Sequence, residues 1–194
     1  MGLIDKNSLL AGIHGPVGNL TIVHQNGKAI ARRKPTVRPK ATPRRVAHQV
    51  RFRAASKWAR SVLTVPEIAA VYQEAAKGTG LSPHNLAVAD YMHDPVIEDI
   101  ELSGYTGKKG ETIRVRAKDG LARPVTISLS EVRVIIRNVA EAILEQGNAT
   151  PDGGAWRYLT QTDLPPRELV KVEVTAKDRP GHSATKTLPH LTAG

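Results

Sequence analysis

Residues 28–60 read KAIARRKPTVRPKATPRRVAHQVRFRAASKWAR, and this stretch sets the organisation of the chain. It contains twelve lysines and arginines and no acidic residue. Because residues 1–66 hold 13 basic residues and one acidic residue, they carry a charge of +12, whereas residues 67–194 hold 15 and 17 and carry −2. A block of like charges repels itself unless its own fold or a partner compensates it. The pattern therefore predicts a nearly neutral body that carries a basic N-terminal region.

The character of this stretch changes at Pro43. Prolines 35, 39 and 43 exclude a helix or a central strand over residues 34–43, so we expect an extended, semi-rigid basic arm there. Pro43 then fits the first turn of a helix. Over residues 44–63 apolar side chains recur at every fourth position, which predicts an amphipathic helix with a basic opposite face.

Upstream of the basic arm the sequence predicts a β-hairpin. Asn26-Gly27 lies between two strand-like segments, residues 20–25 and 28–33. Asn-Gly is a strong hairpin signal because a type I′ turn needs a positive φ at both central positions. A lone hairpin is only marginally stable in water. We therefore expect this hairpin to pack on the helices of its own chain or on a neighbouring subunit.

Two more helices are predicted downstream of residue 63. Thr64-Val65-Pro66-Glu67 matches a capping box with a proline just inside the helix start. The helix that follows ends near Gly78, and Ser82-Pro83 begins a third, short helix that runs to about Met92. Residues 44–95 therefore form a predicted three-helix segment.

From Val96 onward the pattern is that of short β-strands separated by turns. Apolar residues alternate with polar ones at residues 113–117 and 170–176, which is typical of strands with one buried face. Residues 138–146 are ambiguous and could instead form a helical turn. Regular spacing of short strands predicts an antiparallel sandwich of roughly 100 residues. The candidate strands are residues 96–102, 112–117, 125–129, 132–137, 142–145, 155–160, 169–176 and 184–188.

The whole chain is thus predicted to be an α+β protein in three parts: the hairpin and basic arm (1–43), the helical segment (44–95) and the sandwich (96–194). Residues 97–107, 112–120 and 171–187, with Lys-Val-Glu-Val-Thr-Ala-Lys-Asp-Arg-Pro-Gly in the last of them, resemble bacterial immunoglobulin-like domains. His182 stands where that family's closing edge usually has asparagine. The resemblance implies an immunoglobulin-like sandwich with an adhesive, spacing or particle-surface role.

The N-terminal part resembles a different group of proteins. Gly12-Ile13 through Lys34-Pro35 is similar to the N-terminus of an uncharacterised bacterial family, in which a glycine-rich lead, an Asn-Gly-Lys hairpin and a basic Arg-Lys-Pro exit precede helices. This resemblance concerns the fold and implies no particular activity.

Catalytic patterns are weak throughout. The chain has no cysteine, which excludes disulfides, thiolate catalysis and cysteine-ligated zinc. Its histidines form no helical metal pair; His93 with Asp90 and Asp94 is the nearest cluster, and a loop-edge hydrogen bond is the more common role for such a histidine. The glycine-rich residues 104–110 lie between two strands and predict a turn rather than a phosphate loop. We expect no enzyme, no metal, no cofactor and no small-molecule substrate.

Membrane and export signals are also weak. The apolar patch at residues 9–13 is too short for the core of a signal peptide or for a membrane span. We therefore predict no membrane span. The compartment stays open: the cytoplasm, an assembled particle and an extracellular filament all fit.

The basic N-terminal region is the strongest functional signal, and it supports two hypotheses. The first is a structural protein that assembles with itself into a filament, particle or surface layer, since a hairpin and arm can add to a neighbour's sheet edge. The predicted subunit contact consists of Leu20, Ile22, Ile30, Val50, Trp58 and Val62.

The second hypothesis is an architectural or packaging protein that binds nucleic acid phosphates through the basic arm and helix 44–63. In either case, basic side chains would contact a polyanion or an acidic surface of a neighbour, for which Glu98, Asp99 and Glu101 are candidates. These basic residues are Arg32, Arg33, Lys34, Arg38, Lys40, Arg44, Arg45, Arg53 and Lys57.

Overall fold

The computed structural model describes residues 2–4, 12–25, 28–34, 42–121 and 127–193. In this described part the chain has three helices and twelve strands, and the strands form three antiparallel sheets of four strands each. The predicted α+β class is therefore confirmed. The chain divides into two compact units, Met1–Val46 and Ala47–Gly194, which we call unit 1 and unit 2.

Unit 1 contains one sheet among its described residues. Its strands are β1 (Gly2–Ile4), β2 (Gly15–Val17), β3 (Leu20–Gln25) and β4 (Lys28–Arg33), in the order β1-β4-β3-β2. β3 and β4 pair in register up to Gln25 and Lys28, so the predicted hairpin is confirmed. The Asn26-Gly27 turn and residues 35–41 of the basic arm lie outside the described residues.

The three helices are α1 (Pro43–Val62), α2 (Pro66–Ala76) and α3 (Pro83–Met92). Two of the predicted helix starts are confirmed. α1 begins at Pro43, where the proline's missing N–H costs nothing because no carbonyl precedes it in the helix. At the start of α3 the Ser82 hydroxyl oxygen accepts a hydrogen bond from the backbone N–H of Asn85 at 3.2 Å.

The capping box predicted at Thr64 is wrong. α2 starts after Val65, and no side chain caps it. The Thr64 hydroxyl instead donates to the Ser61 carbonyl oxygen at 2.7 Å, so it satisfies a carbonyl at the end of α1. The connection between the two helices is so short that the residue read as the start of one helix completes the end of the other.

The eight remaining strands form the two sheets of unit 2. They are β5 (Val96–Glu101), β6 (Thr112–Lys118), β7 (Glu131–Asn138), β8 (Ile143–Asn148), β9 (Thr150–Asp152), β10 (Ala155–Leu159), β11 (Leu169–Lys177) and β12 (Ser183–Leu191). One sheet has the order β5-β6-β10-β9 and the other has the order β12-β11-β7-β8.

These two sheets face each other across one apolar core. Alternate residues of the central strands are fully buried, as the sequence pattern predicts: Ile113 and Val115 on β6 face the valines of β7 and β11, among them Val134 and Val172. Unit 2 therefore contains a β-sandwich.

One predicted strand of the sandwich is not formed in the described residues, and one ambiguous segment is settled. Residues 127–129 are not a strand, and residues 122–126 lie outside the described part. The ambiguous segment 138–146 forms a turn and the start of β8 rather than a helical turn. The Asn138 side-chain oxygen accepts hydrogen bonds from the backbone N–H groups of Ala140 and Ala142, both at 3.0 Å, and this closes the hairpin between β7 and β8.

The helices of unit 2 share a second apolar cluster with one end of the sandwich. Tyr72 of α2 and Leu86 of α3 are buried in it together with Ala55 of α1. Ile127 and Leu121, which come from the loops at that end of the sandwich, pack into the same cluster. The helical segment and the sandwich are therefore joined by a common core at this end, which we call the junction.

Candidate functional site

The described residues of unit 1 include several exposed apolar side chains. Among its described residues only Ile22 and Ala29 are buried apolar side chains, whereas Val17, Leu20 and Val23 are exposed. Side chains alternate along β3, so Leu20 and Val23 lie on opposite faces of the sheet. Both faces therefore present apolar side chains to the surroundings.

The predicted subunit-contact residues fall into two groups. Leu20 and Val50 are exposed, at 37% and 59%, and Ile30 is half-buried. Ile22 is buried in the sheet of unit 1. Trp58 and Val62 pack in the junction cluster of their own chain. Of the predicted contact residues, Leu20 and Val50 are therefore the ones exposed for a contact with another subunit.

The aromatic neighbours of Trp58 explain its placement. Its ring centroid lies 6.3 Å from that of Tyr72 in an edge-to-face arrangement and 5.7 Å from that of Tyr91. Such pairs add stability beyond the buried area. The apolar face of α1 therefore serves the chain's own core from Ala55 onward, while residues 47–54 of the helix are all exposed.

The basic side chains of unit 1 lie at the end of its sheet and at the start of α1. Arg32, Arg33, Arg44 and Arg45 are exposed and form no ion pair with a described residue. The Lys34 ammonium donates to the Gly18 carbonyl oxygen at 3.5 Å. Arg38 and Lys40 lie outside the described residues.

In unit 2, α1 carries both paired and unpaired basic residues. Arg51 forms an ion pair with Asp94 at 2.8 Å, and Arg60 donates to the Ser56 carbonyl oxygen at 3.2 Å. Arg53 and Lys57 are exposed and have no acidic partner in the described part of the chain. Exposed charges without a partner are available to a polyanion.

The acidic residues suggested as contacts for the basic region already have neighbours on their own sheet. Asp99 forms an ion pair with Arg116 at 2.6 Å, and Glu98 pairs with Lys118. The Glu101 carboxylate accepts a hydrogen bond from the Ser103 hydroxyl at 3.1 Å. A contact with a neighbour's arginines would have to compete with these bonds.

The glycine-rich loop between β5 and β6 is organised around a carboxylate of its own chain. Glu111 accepts hydrogen bonds from the backbone N–H groups of Thr106 (2.6 Å) and Lys108 (3.0 Å) and from the Thr106 hydroxyl. Although burial raises the pKa of Glu111, these bonds outweigh it and hold that pKa below its ordinary value. The N–H groups that a phosphate would need are thus occupied by Glu111, and the loop is a turn, as predicted.

Three buried aspartates meet at the junction, and the sequence patterns did not bring them together. They are Asp90 on α3, Asp119 after β6 and Asp178 after β11. Asp178 accepts hydrogen bonds from the backbone N–H groups of Gly181 (2.7 Å) and His182 (2.6 Å), and its other oxygen lies 2.9 Å from Nδ1 of His182. His182 therefore closes the turn between β11 and β12 together with the aspartate of that turn.

Asp90 and Asp119 have a different environment. The hydroxyl of Tyr72 donates to Oδ2 of Asp90, and the carboxyl groups of the two aspartates lie within hydrogen-bond reach of each other. Burial raises the pKa of Asp90 and, together with the neighbouring charge of Asp90, raises the pKa of Asp119 to about 8. Burial likewise raises the pKa of Tyr72.

The cluster of His93, Asp90 and Asp94 that the sequence suggested is not formed. His93 bonds through Nδ1 to the Ala89 carbonyl oxygen at 2.8 Å, Asp94 pairs with Arg51, and Asp90 bonds to Tyr72. Among the described residues, no three histidine or acidic side chains are placed so that they could hold a metal ion together. In the sequence, the one sign of the aspartate cluster at the junction is Asp90, an acidic residue between apolar residues of the short helix α3.

Comparisons with known proteins identify no family for this chain. No family model matches it, and no curated protein matches it. Among solved structures, the crystal structure of CopC from Methylosinus trichosporium OB3b is similar, with 9% sequence identity over 51% of this chain and 93% of that chain and a TM-score of 0.36. A similarity of this size carries no argument about function. None of the three described helices has the length and apolar composition needed to cross a membrane.

Proposed function

We propose that this chain is a structural protein that assembles with copies of itself, and that unit 1 makes the contact between copies. The observation that carries the proposal is the four-stranded sheet of unit 1, which buries two apolar side chains among its described residues and exposes others on both faces. Burying apolar surface contributes about 25 cal/mol per Å². A sheet with so small a core gains this stabilisation by packing on a neighbour.

The proposal includes an immunoglobulin-like sandwich in unit 2. Its strand orders support this: β5-β6-β10-β9 corresponds to the order A-B-E-D, and β12-β11-β7 corresponds to G-F-C, with β8 as an additional strand beside C. The chain departs from antibody domains in having no cysteine pair, and its Trp156 lies on β10, the counterpart of strand E, rather than on β7, the counterpart of strand C. A sandwich of this kind would serve as the outward-facing module of the assembly.

Single aspartate substitutions on unit 1 test the proposal. Leu20→Asp and Val23→Asp place a charge on opposite faces of the same strand, so each reports on one face. Val139→Asp is the matched control, since Val139 is 66% exposed in the β7–β8 turn of unit 2. We expect the wild-type protein and the control to sediment as large species, and at least one unit 1 variant to sediment as a smaller one. A wild-type protein that stays monomeric at tens of micromolar would contradict the proposal.

A second candidate function is binding to nucleic acid phosphates. It is favoured by the exposed Arg53 and Lys57, which have no acidic partner among the described residues. Phosphate contacts release counterions, so each one adds about −0.9 to the slope of log affinity against log salt. The double variant Arg53→Gln, Lys57→Gln should make that slope for duplex DNA less steep, by the share of roughly two phosphate contacts. A control substitution at Lys171, on β11, should leave the slope unchanged. Absence of any salt-dependent shift would exclude this candidate.

A further inference from the structure

Asp90 and Asp119 form a buried pair of carboxyl groups at the junction. They are 1% and 4% exposed, and they come from α3 and from the loop after β6. The Oδ1 atom of each is buried, and no N–H or O–H donor of a described residue reaches either atom. Two buried oxygens without a donor, in carboxyl groups that lie within hydrogen-bond reach of each other, require a common explanation.

A single proton supplies that explanation. Two ionised carboxylates at this separation repel each other, and burial removes the water that would screen them. If one group is protonated, it becomes a donor to the other, and one hydrogen bond satisfies an oxygen on each side. Asp90 already accepts the hydroxyl hydrogen of Tyr72, so it is the acceptor. Asp119 then carries the proton.

We propose that Asp119 donates a shared proton to Asp90, and that this hydrogen bond holds α3 and the helical segment against the end of the sandwich. Loss of the proton leaves two buried negative charges facing each other across the junction. The junction is therefore a pH-sensitive contact built into unit 2. This inference concerns unit 2 alone and does not depend on the proposed assembly.

The charged and titratable groups around the pair do not replace the proton. From α2, Tyr72 faces Asp90; from the turn after β11, Asp178 and Arg179 act on it at longer range. Among the described residues, the positive charge of Arg179 lowers the pKa of Asp90. Its guanidinium, however, donates to the Ser128 carbonyl oxygen at 2.6 Å rather than to either carboxyl group of the pair. Its charge opposes that of Asp178, so the pair gains little net compensation.

A second ion network lies at the rim of the same junction. Asp94, which follows α3, pairs with Arg51 at 2.8 Å, and Nδ1 of His182 lies 3.9 Å from the same Asp94 oxygen. Both contacts are partly exposed to solvent. They therefore offer the buried pair no direct partner.

The two backbone segments that carry the pair are in close contact. Gly120 follows Asp119 directly, and a Cβ atom at this position would collide with the Asp94 carbonyl oxygen. The loop after β6 and the end of α3 thus approach more closely than any side chain allows. Repulsion within the pair would have to move one backbone away from the other, which loosens the packing of the neighbouring Leu86 and Ala87.

The direction of the pH effect follows from linkage. The pKa of Asp119 is raised from an ordinary value of 3.8 to about 8 in the folded chain, and that of Asp90 is raised too. Between these pH values the folded chain binds more protons than the unfolded chain. The stability that depends on the shared proton is therefore fully present below about pH 4 and is lost as the pH rises toward 8.

Direct titration of the full-length protein tests the inference. Carbon-13 NMR of the aspartate carboxyl groups should show one group in the folded protein that titrates near pH 8, and this resonance should be missing in Asp119→Asn. If every aspartate titrates below pH 6, the inference is wrong. The wild-type titration decides the matter even if a variant does not fold.

Denaturation measured at pH 5, 7 and 9 gives an independent test. In the wild-type protein the folding equilibrium constant should fall with rising pH, by up to about tenfold per unit where one proton is linked. Asp119→Asn keeps a donor toward Asp90 and should remove most of this slope. The matched control is Glu145→Gln, a buried acid elsewhere in the sandwich whose carboxylate accepts three hydrogen bonds.

Asp119→Asn and Glu145→Gln are expected to affect the pH dependence of stability differently. Glu145→Gln should lower stability at every pH and retain the wild-type slope. A slope that survives in Asp119→Asn, or that disappears in Glu145→Gln, would overturn the assignment of the proton to the junction pair.

Discussion

Unit 1 and unit 2 are both rich in antiparallel strands, but they differ in how they are stabilised. The sandwich of unit 2 encloses fourteen buried residues between two sheets, whereas unit 1 has one sheet and two buried apolar side chains among its described residues. A single sheet has no second layer to cover its faces. The same local β pattern thus builds an enclosed core in unit 2 and, among the described residues of unit 1, a sheet with several exposed apolar side chains.

Removing unit 1 should produce the largest change. A chain that lacks residues 1–43 is expected to lose the proposed assembly completely, because the exposed sheet is gone, while the apolar cores of unit 2 remain intact. Analytical ultracentrifugation measures the first effect, and thermal unfolding followed by circular dichroism measures the second. A truncated chain that still forms large species would show that the contact between copies lies in unit 2.

The next largest effect should come from a cavity in the sandwich. Ile136 is fully buried, so Ile136→Ala should lower the free energy of unfolding of unit 2 by about 2–5 kcal/mol in urea denaturation. Val23→Ala, which truncates an exposed residue of unit 1, should change it by less than about 0.5 kcal/mol. Equal losses for the two variants would mean that the cores of the two units are not separate.

A smaller effect is expected from the buried hydrogen bonds of the sandwich. The Tyr158 hydroxyl donates to Oε1 of Glu145 at 2.7 Å, and two backbone N–H groups also donate to that carboxylate. Tyr158→Phe removes one of three donors and should cost about 1–3 kcal/mol. Tyr105→Phe is the control, because the Tyr105 hydroxyl is buried without a partner among the described residues and its removal should cost less.

The smallest difference should come from the helix starts. Ser82→Ala removes the hydroxyl that caps α3 within unit 2 and should lower its stability by about 1 kcal/mol. Thr42 accepts from the Arg45 N–H at 3.3 Å at the exposed start of α1 in unit 1. Thr42→Ala should leave the denaturation midpoint of unit 2 unchanged. A loss equal to that of Ser82→Ala would show that the start of α1 contributes to the core of unit 2.

Much of the fold could be predicted because its signals are local. Pro43 and Ser82-Pro83 mark helix starts through a fixed φ and a capping hydroxyl, and the alternation at residues 170–176 reports a strand with one buried face. The pattern at Thr64 predicts the wrong cap because two competing roles, the end of one helix and the start of the next, meet within four residues. The Asn138 turn was ambiguous because its sequence also suits a helix, and pairing with β7 decides between the two.

The candidate sites were less predictable for a related reason. Periodicity places Val50 and Trp58 on the same stripe of α1, yet Val50 is exposed and Trp58 packs on Tyr72 and Tyr91. A helical pattern tells which face is apolar, but it does not tell how far along the helix a partner reaches. The length of that contact depends on the position of α2 and α3.

The sequence by itself determined the separation of charge along the chain, the hairpin, the three helices and the alternation that builds the sandwich, because each of these depends on residues within a few positions of one another. Only the tertiary structure decided that Asp90, Asp119 and Asp178 meet at one buried junction, since they lie on segments far apart in the chain. The raised pKa values of Asp90 and Asp119 are a property of that meeting. A carboxyl group shares a proton only when folding removes its water and places a second carboxyl group within reach.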